Sequence, residues 1–250
     1  MKIATFNVKN KTADLIFHGK NKLYKKYDLN AALIKESDPD VIGLQEVTKS
    51  ELSYLKRIFE NDYNFYGEFR KSFAFTNECC PIMIKKEYVD YIYYSRTYSL
   101  SDNIFNIGKK EKGAMFPRIC TNIIVFDGIK DFYHINNVHV DNFPIAQRKT
   151  FEEYGTLEEI IYRNEDITPI TPIILGDFNS EITGDLKYFC NRNFLDDATE
   201  VLGKTYKPLN KSIDHILVDS NEVYYFDQKE YSNEGSDHSL LMVNTRSKWR

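Results

Sequence analysis

Short apolar runs that end abruptly in acidic or amide residues recur along this chain, and the run from Ile173 to Ser180 shows the pattern most clearly. Its order is Ile-Ile-Leu-Gly-Asp-Phe-Asn-Ser. A buried strand has no structural need for Asp177 and Asn179 at its end, so we interpret this strand as one that carries them to the mouth of a site. A tight turn is the alternative, because Gly, Asp and Asn are common turn residues.

Length and composition restrict the class of protein. A chain of 250 residues with 42% hydrophobic and 14% aromatic residues can form one α/β domain with a substantial core. No linker-like stretch or internal repeat divides it, so we expect a single domain over residues 1–250. The net charge of −4 argues against a surface that binds nucleic acid everywhere, but it permits a local basic rim around an acidic metal centre.

Other features concern the cellular location of the protein. Cysteines at positions 79, 80, 120 and 190 are too irregularly spaced for a disulfide framework or a zinc site, so we expect reduced side chains. The N-terminus has no apolar stretch long enough for a signal peptide or a membrane span. We therefore expect a cytoplasmic monomer without integral membrane association, although a signal peptide removed earlier would leave the same sequence. The lysine-rich segment Lys9–Lys26 is interpreted as a solvated loop.

The apolar pattern predicts that the chain opens as strand, helix, strand, helix. Residues 2–8 form the first strand, Asp28 caps a helix, and Val41–Leu44 forms the next strand. Thr48 and Glu51 have the spacing of a capping box at the start of a second helix. This opening is typical of layered α/β structure.

Short β-rich runs dominate the rest of the chain. Antiparallel strands are predicted at residues 73–75, 81–84, 91–94, 119–126 and 132–140. Ala146–Tyr162 is predicted as the longest helix, with a buried stripe that includes Tyr154. The remaining predictions are a strand into Gly176-Asp177, a short helix near 186–190, and strands at 213–218, 223–226 and 240–243. This order favours two sheets with mixed pairing, flanked by helices, over one doubly wound sheet.

Several apolar runs end in, or contain, polar residues that suit catalysis. These candidates are Asn7, Glu46, His139, Asp177, Asn179, Asp214, Asp237 and His238. Each alone has an ordinary explanation, such as a loop acid or a hydrogen-bonded core histidine, whereas one shared site explains them all. Asp214 weighs most, because an unpaired carboxylate inside a strand is costly. Pairing with His238 would remove that cost and orient an imidazole for acid–base chemistry.

The candidates also indicate which metal the site would bind. Oxygen donors predominate: Asn7, Glu46, Asp177, Asn179 and Asp237. Hard oxygen ligands select Mg²⁺, Mn²⁺ or Ca²⁺ over zinc or copper. Together with the histidines and Arg118, such an ion would make a site that hydrolyses phosphoesters. The sequence contains no serine triad, phosphate-binding glycine loop or dinucleotide fingerprint.

These motifs, in this order over nearly the whole chain, resemble the endonuclease/exonuclease/phosphatase superfamily with its DNase I-like fold. The matching segments are Thr5–Asn7, Gly43–Glu46, Val138–Asp141, Gly176–Asn179, Ile213–Ile216 and Ser236–His238. The resemblance implies a four-layer α/β/β/α sandwich with two mixed β-sheets, and a site where the strand ends of both sheets converge. It also implies a phosphoric ester hydrolase that depends on Mg²⁺ or Mn²⁺.

The resemblance further implies roles for the residues on the metal side of the site. Glu46 would be the principal metal ligand, supported by Asn7 and Asp237. Asp177 would orient or deprotonate the attacking water. Asn179 would hold the phosphate.

It implies roles for the basic residues as well. His238, oriented by Asp214, would act as a base or as a stabiliser of the transition state. His139 would donate a hydrogen bond or a proton to the phosphate or the leaving group. Glu78 resembles an acid that pairs with that histidine, and Arg118 resembles a substrate-contacting arginine.

Departures from the family's pattern bear on the substrate. AP endonucleases have a tyrosine where this chain has His139, which disfavours abasic-site repair. Inositol-polyphosphate 5-phosphatases have arginines where Ser180 and His215 stand here. Asn142 replaces the last histidine of the usual Thr-His-Leu-Asp-His motif, and no apolar hairpin resembles the membrane-docking hairpin of bacterial sphingomyelinases.

We therefore expect a phosphodiesterase that acts on DNA, RNA or nucleotides. A phosphatase or phosphodiesterase of small or lipid-linked phosphates is the first alternative, and a catalytically silent scaffold is the second. A basic groove with aromatic platforms would favour nucleic acid, whereas a closed pocket would favour a small ester.

Overall fold

Two β-sheets stacked face to face form the centre of the structure. The computed structural model describes residues 1–10, 14–73, 76–126, 132–163, 170–219, 221 and 223–247. Within these ranges, each sheet has six strands, and α-helices cover the outer face of each sheet. The α/β/β/α layering and the mixed sheets agree with the fold that the sequence resemblance implied.

The first sheet is built from both ends of the chain. Its strands are β1 (Lys2–Asn7), β2 (Val41–Gln45), β3 (Tyr63–Tyr66), β4 (Ile82–Lys85), β11 (Val223–Tyr231) and β12 (Leu240–Ser247). They lie in the order β11-β12-β1-β2-β4-β3. β1 and β2 are parallel, and the other neighbours are antiparallel.

The second sheet is built from the middle of the chain. Its strands are β5 (Ile92–Ser99), β6 (Ile119–Phe126), β7 (Phe132–His139), β8 (Ile170–Asp177), β9 (Leu195–Asp197) and β10 (Asp214–Asp219). They lie in the order β5-β6-β7-β8-β10-β9, with β7 and β8 parallel. The register places Asp177 beside His139 on one side and beside Asp214 on the other.

Apolar side chains hold the four layers together. The helices α1 (Asp14–Ser37) and α2 (Lys49–Phe59) pack on the first sheet, and α3 (Pro144–Phe151), α4 (Thr156–Tyr162) and α5 (Gly184–Arg192) pack on the second. Between the sheets, side chains such as Ile3, Val41, Ile135 and Ile173 form a separate core. Each such fully buried side chain contributes about 1.5–3 kcal/mol. The four cysteines are buried and unpaired, and no helix of the described ranges has the length and hydropathy needed to cross a bilayer.

The lysine-rich segment and the Asp28 cap were predicted wrongly. α1 begins at Asp14, so most of the predicted loop is helical and Asp28 lies inside the helix. Lys26 is buried, and its ammonium lies 2.6 Å from the buried carboxylate of Glu51. Thr48 caps α2 as predicted by accepting a hydrogen bond from the Glu51 amide. The predicted capping box is therefore only half formed: the Glu51 side chain binds Lys26 and not the Thr48 amide, because a buried ammonium requires an anionic partner.

The predicted helix Ala146–Tyr162 is two helices, and α1 is longer than either. Tyr154, predicted in the buried stripe, is 87% exposed and has a φ of +57° in the break between α3 and α4. Gly155 follows it as the N-cap of α4, where a non-helical backbone is favoured. Phe73, predicted in a strand, is exposed and lies outside any strand, while residues 74–75 lie outside the described residues. β3 and β9 were not predicted.

Candidate active site

Five of the predicted strand-end residues line one cavity of about 470 Å³ at an edge of the sandwich: Glu46, His139, Asp177, Asn179 and His238. Asn7, Asp214 and Asp237 contact members of this group without lining the cavity. The lining residues are Lys9, Glu46, Arg70, Glu78, Phe116, Arg118, His139, Asn142, Asp177, Asn179, Tyr206, Leu209, Lys211, Ile213 and His238. Both sheets contribute to this cavity. The strand-end pattern in the sequence therefore corresponds to one shared location.

Asn7 connects the two sheets at the floor of the site. Its Nδ2 donates hydrogen bonds to Glu46 Oε1 at 3.1 Å and to Asp177 Oδ2 at 2.8 Å. Glu46 follows β2 with a φ of +59°, a conformation that costs a non-glycine residue about 1–2 kcal/mol. The amide of Asn10 donates to Glu46 Oε2 at 2.7 Å. These two hydrogen bonds to its carboxylate thus hold Glu46 in the site despite the unfavourable backbone conformation.

The donor set of the site fits a hard divalent cation. Ligand atoms of Glu46, His139 and Asp177 lie within 4.8 Å of one another. Asp237 Oδ1 is buried and has no hydrogen-bond partner among the described residues, while its Oδ2 lies 3.2 Å from Lys9 Nζ. Burial lowers the pKa of Lys9, but the charges of Glu46 and Asp237 outweigh burial and raise that pKa. The converging ligand atoms and the buried carboxylate oxygen of Asp237 that lacks a hydrogen-bond partner both favour cation binding.

Asp177 lies at the centre of the cluster and is almost fully buried. Its Oδ1 accepts a hydrogen bond from the amide of Asn179 at 2.8 Å, in addition to the contact of Oδ2 with Asn7. Burial and the nearby charge of Asp214 raise the pKa of Asp177 to about 6. This carboxylate is therefore able to exchange a proton near neutral pH.

Asp214 and His238 make the contact that the sequence predicted. His238 Nδ1 lies 2.9 Å from Asp214 Oδ2, and His238 Nε2 lies 3.9 Å from Asp177 Oδ2. Burial lowers the pKa of His238, but the charges of Asp214, Asp177 and Asp237 and the Asp214 hydrogen bond outweigh it and raise the pKa to about 9. At neutral pH the imidazole is positively charged and points into the site.

His139 is kept neutral by its surroundings. Burial, and then the positive charge of Arg118, hold its pKa well below the usual value. Arg118 Nη1 lies 2.9 Å from His139 Nε2, and Arg118 Nε donates to Asp141 Oδ2 at 3.0 Å. His139 Nε2 also lies 3.8 Å from Asp177 Oδ2. The two predicted substrate-facing groups, Arg118 and His139, are therefore adjacent.

The pairing predicted for Glu78 is not the one observed. Its carboxylate lies 2.9 Å from Arg70 Nη2 and accepts a hydrogen bond from Asn10 Nδ2 at 2.8 Å, so it pairs with Arg70 instead of His139. Arg70 is itself buried, and a buried guanidinium requires an anionic partner. The partner of His139 is Arg118, whose Nη1 lies within hydrogen-bond distance of the imidazole.

Asn179, predicted to hold the phosphate, lines the cavity with a φ of +50°. Its Nδ2 donates to the carbonyl of Val140 at 3.0 Å.

Ser180 and His215, two departures from the family pattern, contact each other. His215 lies 2.7 Å from Asp197 Oδ2 and 2.9 Å from the carbonyl of Ser180. Both partners are acceptors, so both ring nitrogens of His215 carry protons.

Sequence reasoning missed several lining residues that loops supply. The ring of Tyr206 contacts that of His238 in a tilted arrangement, with centroids 4.7 Å apart and an interplanar angle of 39°. The guanidinium of Arg70 lies 5.3 Å from the ring centroid of Phe116. Lys9 and Lys211 add positive charge to the wall. These residues lie outside the apolar runs, so no strand pattern pointed to them. Of these residues, Lys9 was the one that its position could have revealed, because it follows the strand-end residue Asn7 by two positions.

Comparisons with known proteins agree with the fold. The sequence profile of the Endonuclease/Exonuclease/phosphatase family matches residues 4–238. An endonuclease/exonuclease/phosphatase from Bacteroides vulgatus is 21% identical, with a TM-score of 0.83 over 99% of this chain and 98% of that chain. The Bacteroides thetaiotaomicron mannosyl-6-phosphatase is also 21% identical, with a TM-score of 0.81 over 98% and 99%.

A more distant structure is similar as well. TDP2 of D. rerio, in complex with a single-stranded DNA product, is 16% identical, with a TM-score of 0.70 over 98% of each chain. At these identities the likeness shows a shared fold. Among curated protein sequences, none matches this chain.

Proposed function

Because this chain belongs to the endonuclease/exonuclease/phosphatase family, we propose that it is a divalent-metal-dependent phosphodiesterase that cleaves nucleic acid or nucleotides. The observation that carries this proposal is the cluster of Glu46, His139 and Asp177, whose ligand atoms lie within 4.8 Å of one another. Arg118 and the charged His238 line the same cavity. Hard oxygen donors beside cationic side chains suit the transfer of a phosphoryl group to water.

Glu46 of that cluster would hold the cation, which we propose to be Mg²⁺ or Mn²⁺. Asp237, whose buried Oδ1 has no hydrogen-bond partner among the described residues, would be the second carboxylate ligand. When bound, the cation supplies Lewis-acid polarisation of a phosphate oxygen. Asn7 keeps Glu46 and Asp177 in place by donating hydrogen bonds from Nδ2 to both carboxylates. Its Oδ1 accepts a hydrogen bond from the amide of Lys9 at 2.9 Å. An amide oxygen has a second lone pair, so Asn7 also remains a proposed ligand.

The protein groups divide the proton and charge chemistry between them. Asp177, with its pKa near 6, is mostly ionised at neutral pH and accepts the proton of the attacking water. His238 is already protonated at that pH, so we assign it to stabilising charge on the phosphate instead of acting as the base. Asp214 keeps His238 oriented, and Arg118 adds a second positive charge on the side of His139.

Aromatic and basic side chains around the cavity favour a nucleotide as the substrate. Phe116 and Tyr206 line it together with Lys9, Arg118 and Lys211. Stacking of a base on an aromatic ring contributes about 1–3 kcal/mol, and the cations would neutralise phosphates. A phosphatase of sugar phosphates is the second candidate. The cavity volume of about 470 Å³, which is in the range of small-molecule sites, and the similarity to a mannosyl-6-phosphatase favour it.

A substrate panel tests the proposal. Hydrolysis of single-stranded DNA, RNA, a dinucleotide, mannose 6-phosphate and bis-p-nitrophenyl phosphate is measured with Mg²⁺, with Mn²⁺ and with chelator. We expect metal-dependent cleavage of the nucleic acids or the dinucleotide. Glu46→Gln should lower it about 10²-fold or more. Glu60→Gln, at an exposed acid beyond α2, is the matched control and should retain activity.

Two results separate the alternatives. Cleavage of mannose 6-phosphate alone would establish the second candidate and exclude the first. Hydrolysis that persists in chelator, or equal activity of Glu46→Gln and Glu60→Gln, would contradict the metal-dependent mechanism.

A further inference from the structure

A loop outside the predicted site contacts both members of the Asp214–His238 pair. This loop, residues 203–212, leads into β10. Two consecutive residues of it, Thr205 and Tyr206, contact Asp214 and His238 respectively. Neither residue belongs to an apolar run that pointed to the site. Their contacts indicate that the pair depends on this loop.

The hydroxyl of Thr205 makes three hydrogen bonds, and two of them are to Asp214. The side chain is 1% exposed, and its Oγ1 donates to Asp214 Oδ2 at 2.6 Å. The same oxygen accepts the amides of Ile213 at 3.1 Å and of Asp214 at 3.2 Å. Asp214 Oδ2 therefore receives donors from two directions, Thr205 Oγ1 and His238 Nδ1. A carboxylate held by two such donors has one preferred orientation.

The backbone of the loop is joined to the segment that carries His238. The amide of Ser239 donates to the Thr205 carbonyl at 2.9 Å, and Tyr206 forms a β-bridge with His238. The ring of Tyr206 packs against the imidazole, with centroids 4.7 Å apart and an interplanar angle of 39°. Thr205 thus links the segment that carries Asp214 to the segment that follows His238.

We infer that Thr205 is a positioning residue, which fixes the Asp214 carboxylate so that His238 presents Nε2 to the reacting phosphate. The inference rests on the proposed function, since it assigns Thr205 to the same reaction. Thr205 does not line the cavity, so it acts through Asp214 and not on the substrate. Small displacements of a catalytic group are costly, because a shift of about 1 Å can lower the rate 10²-fold.

Two substitutions at Thr205 test the inference in the full chain. Thr205→Val keeps the shape but removes the hydroxyl, whereas Thr205→Ser keeps the hydroxyl and removes a methyl group. With Mn²⁺ and bis-p-nitrophenyl phosphate, we expect Thr205→Val to lower kcat about 10- to 100-fold with KM changed less than about twofold. Thr205→Ser should stay within about threefold of the wild type, because the hydroxyl that orients Asp214 is retained.

The chain offers a matched control for loss of a buried threonine hydroxyl. Thr199 is also buried, and its Oγ1 donates to the carboxylate of Asp197 at 2.6 Å and accepts the amide of Ile216 at 3.3 Å. Neither Thr199 nor Asp197 lines the cavity. Thr199→Val should therefore lose similar stability while its kcat stays close to that of the wild type. Equal loss of kcat in Thr199→Val and Thr205→Val would assign the effect to the fold and overturn the inference.

A double-mutant cycle shows whether Thr205 acts through Asp214. In an Asp214→Asn background, the further effect of Thr205→Val on kcat should shrink to less than about threefold, because the carboxylate that it orients is already gone. An undiminished 10- to 100-fold effect in that background would overturn the inference.

A spectroscopic measurement decides the question without catalysis. The hydrogen-bonded Nδ1 proton of His238, assigned with His238→Asn, should give a downfield NMR signal in the wild type and in Thr205→Ser. The signal should broaden or disappear in Thr205→Val, because the less ordered carboxylate lets the proton exchange faster with water. An unchanged signal would overturn the inference. A wild type that hydrolyses nothing would overturn the proposed function, and this signal would still decide the role of Thr205.

Discussion

Replacing Gly176 with alanine should both destabilise the protein and disable the site. Gly176 has a φ of +144°, and a Cβ built on it would lie 2.0 Å from the carbonyl oxygen of Val138, where ordinary contact begins at 3.4 Å. This sparsely populated backbone conformation costs about 1–3 kcal/mol for a residue with a side chain. Forcing the extra carbon into the packed interior costs about 1–3 kcal/mol more. The expected loss in the free energy of unfolding is therefore about 2–6 kcal/mol.

The clash lies where β7 and β8 bring His139 and Asp177 to the candidate site. Val138 precedes His139, and Gly176 precedes Asp177, so separating the strands at this point moves the two side chains apart. Metal-dependent hydrolysis by the folded fraction of Gly176→Ala should therefore fall as well. Urea unfolding measures the loss in the free energy of unfolding. The hydrolysis rate per folded molecule measures the damage to the site.

Gly184, at the start of α5, is a matched control. It also has a positive φ, +51°, but a Cβ there would meet nothing within 4 Å. Gly184→Ala should lose only the backbone cost of about 1–2 kcal/mol and keep its activity. If Gly176→Ala unfolds no more easily than Gly184→Ala, the argument from steric overlap is wrong.

Three further predictions concern the metal, pH and the charged histidine. Magnesium at 100 times its dissociation constant should raise the free energy of unfolding of the wild type by about 2.7 kcal/mol and that of Glu46→Gln by much less, as urea unfolding with and without metal will show. Burial lowers the pKa of His134 to about 4. As the pH falls, the imidazole of His134 therefore becomes protonated at a higher pH in the unfolded chain than in the folded protein. The contribution of neutral His134 to the free energy of unfolding is present above pH 6.5 and declines toward pH 4. The decline amounts to about 2 kcal/mol at pH 5, and a smaller decline in His134→Gln than in the wild type would confirm it. His238→Ala should lower kcat about 10²-fold or more, and a loss below tenfold would contradict its assigned role.

The sequence allowed prediction of the strands that carry the site and of the contact between Asp214 and His238. These features were predictable because a polar residue at the end of a buried strand is costly unless it is hydrogen-bonded, paired or part of a site. Asp214 illustrates the point, since its carboxylate is 1% exposed and is satisfied by His238 and Thr205. The roles proposed for these residues in catalysis stay predictions.

The residues that were missed depend on contacts between distant parts of the chain. The sequence around Lys26 predicts a solvated loop because it does not indicate a buried ion pair. The partner, Glu51, lies on another helix. Arg70 and Tyr206 reach the cavity from loops, which have no periodicity to reveal their direction. Glu78 was assigned to the wrong partner for the same reason, since Arg70 was not expected nearby.

The hydrogen bonds that converge on Asn7 have a consequence for how activity arises during folding. Its side chain bonds to Asp177, 170 residues later, and its carbonyl accepts the hydroxyl of Ser236, 229 residues later. Contacts of such long separation form late, because loop closure must come first. A chain still being synthesised therefore cannot assemble the candidate site until residues 236–238 leave the ribosome. Under the proposed function, the appearance of hydrolysis during refolding should report the docking of the two sheets.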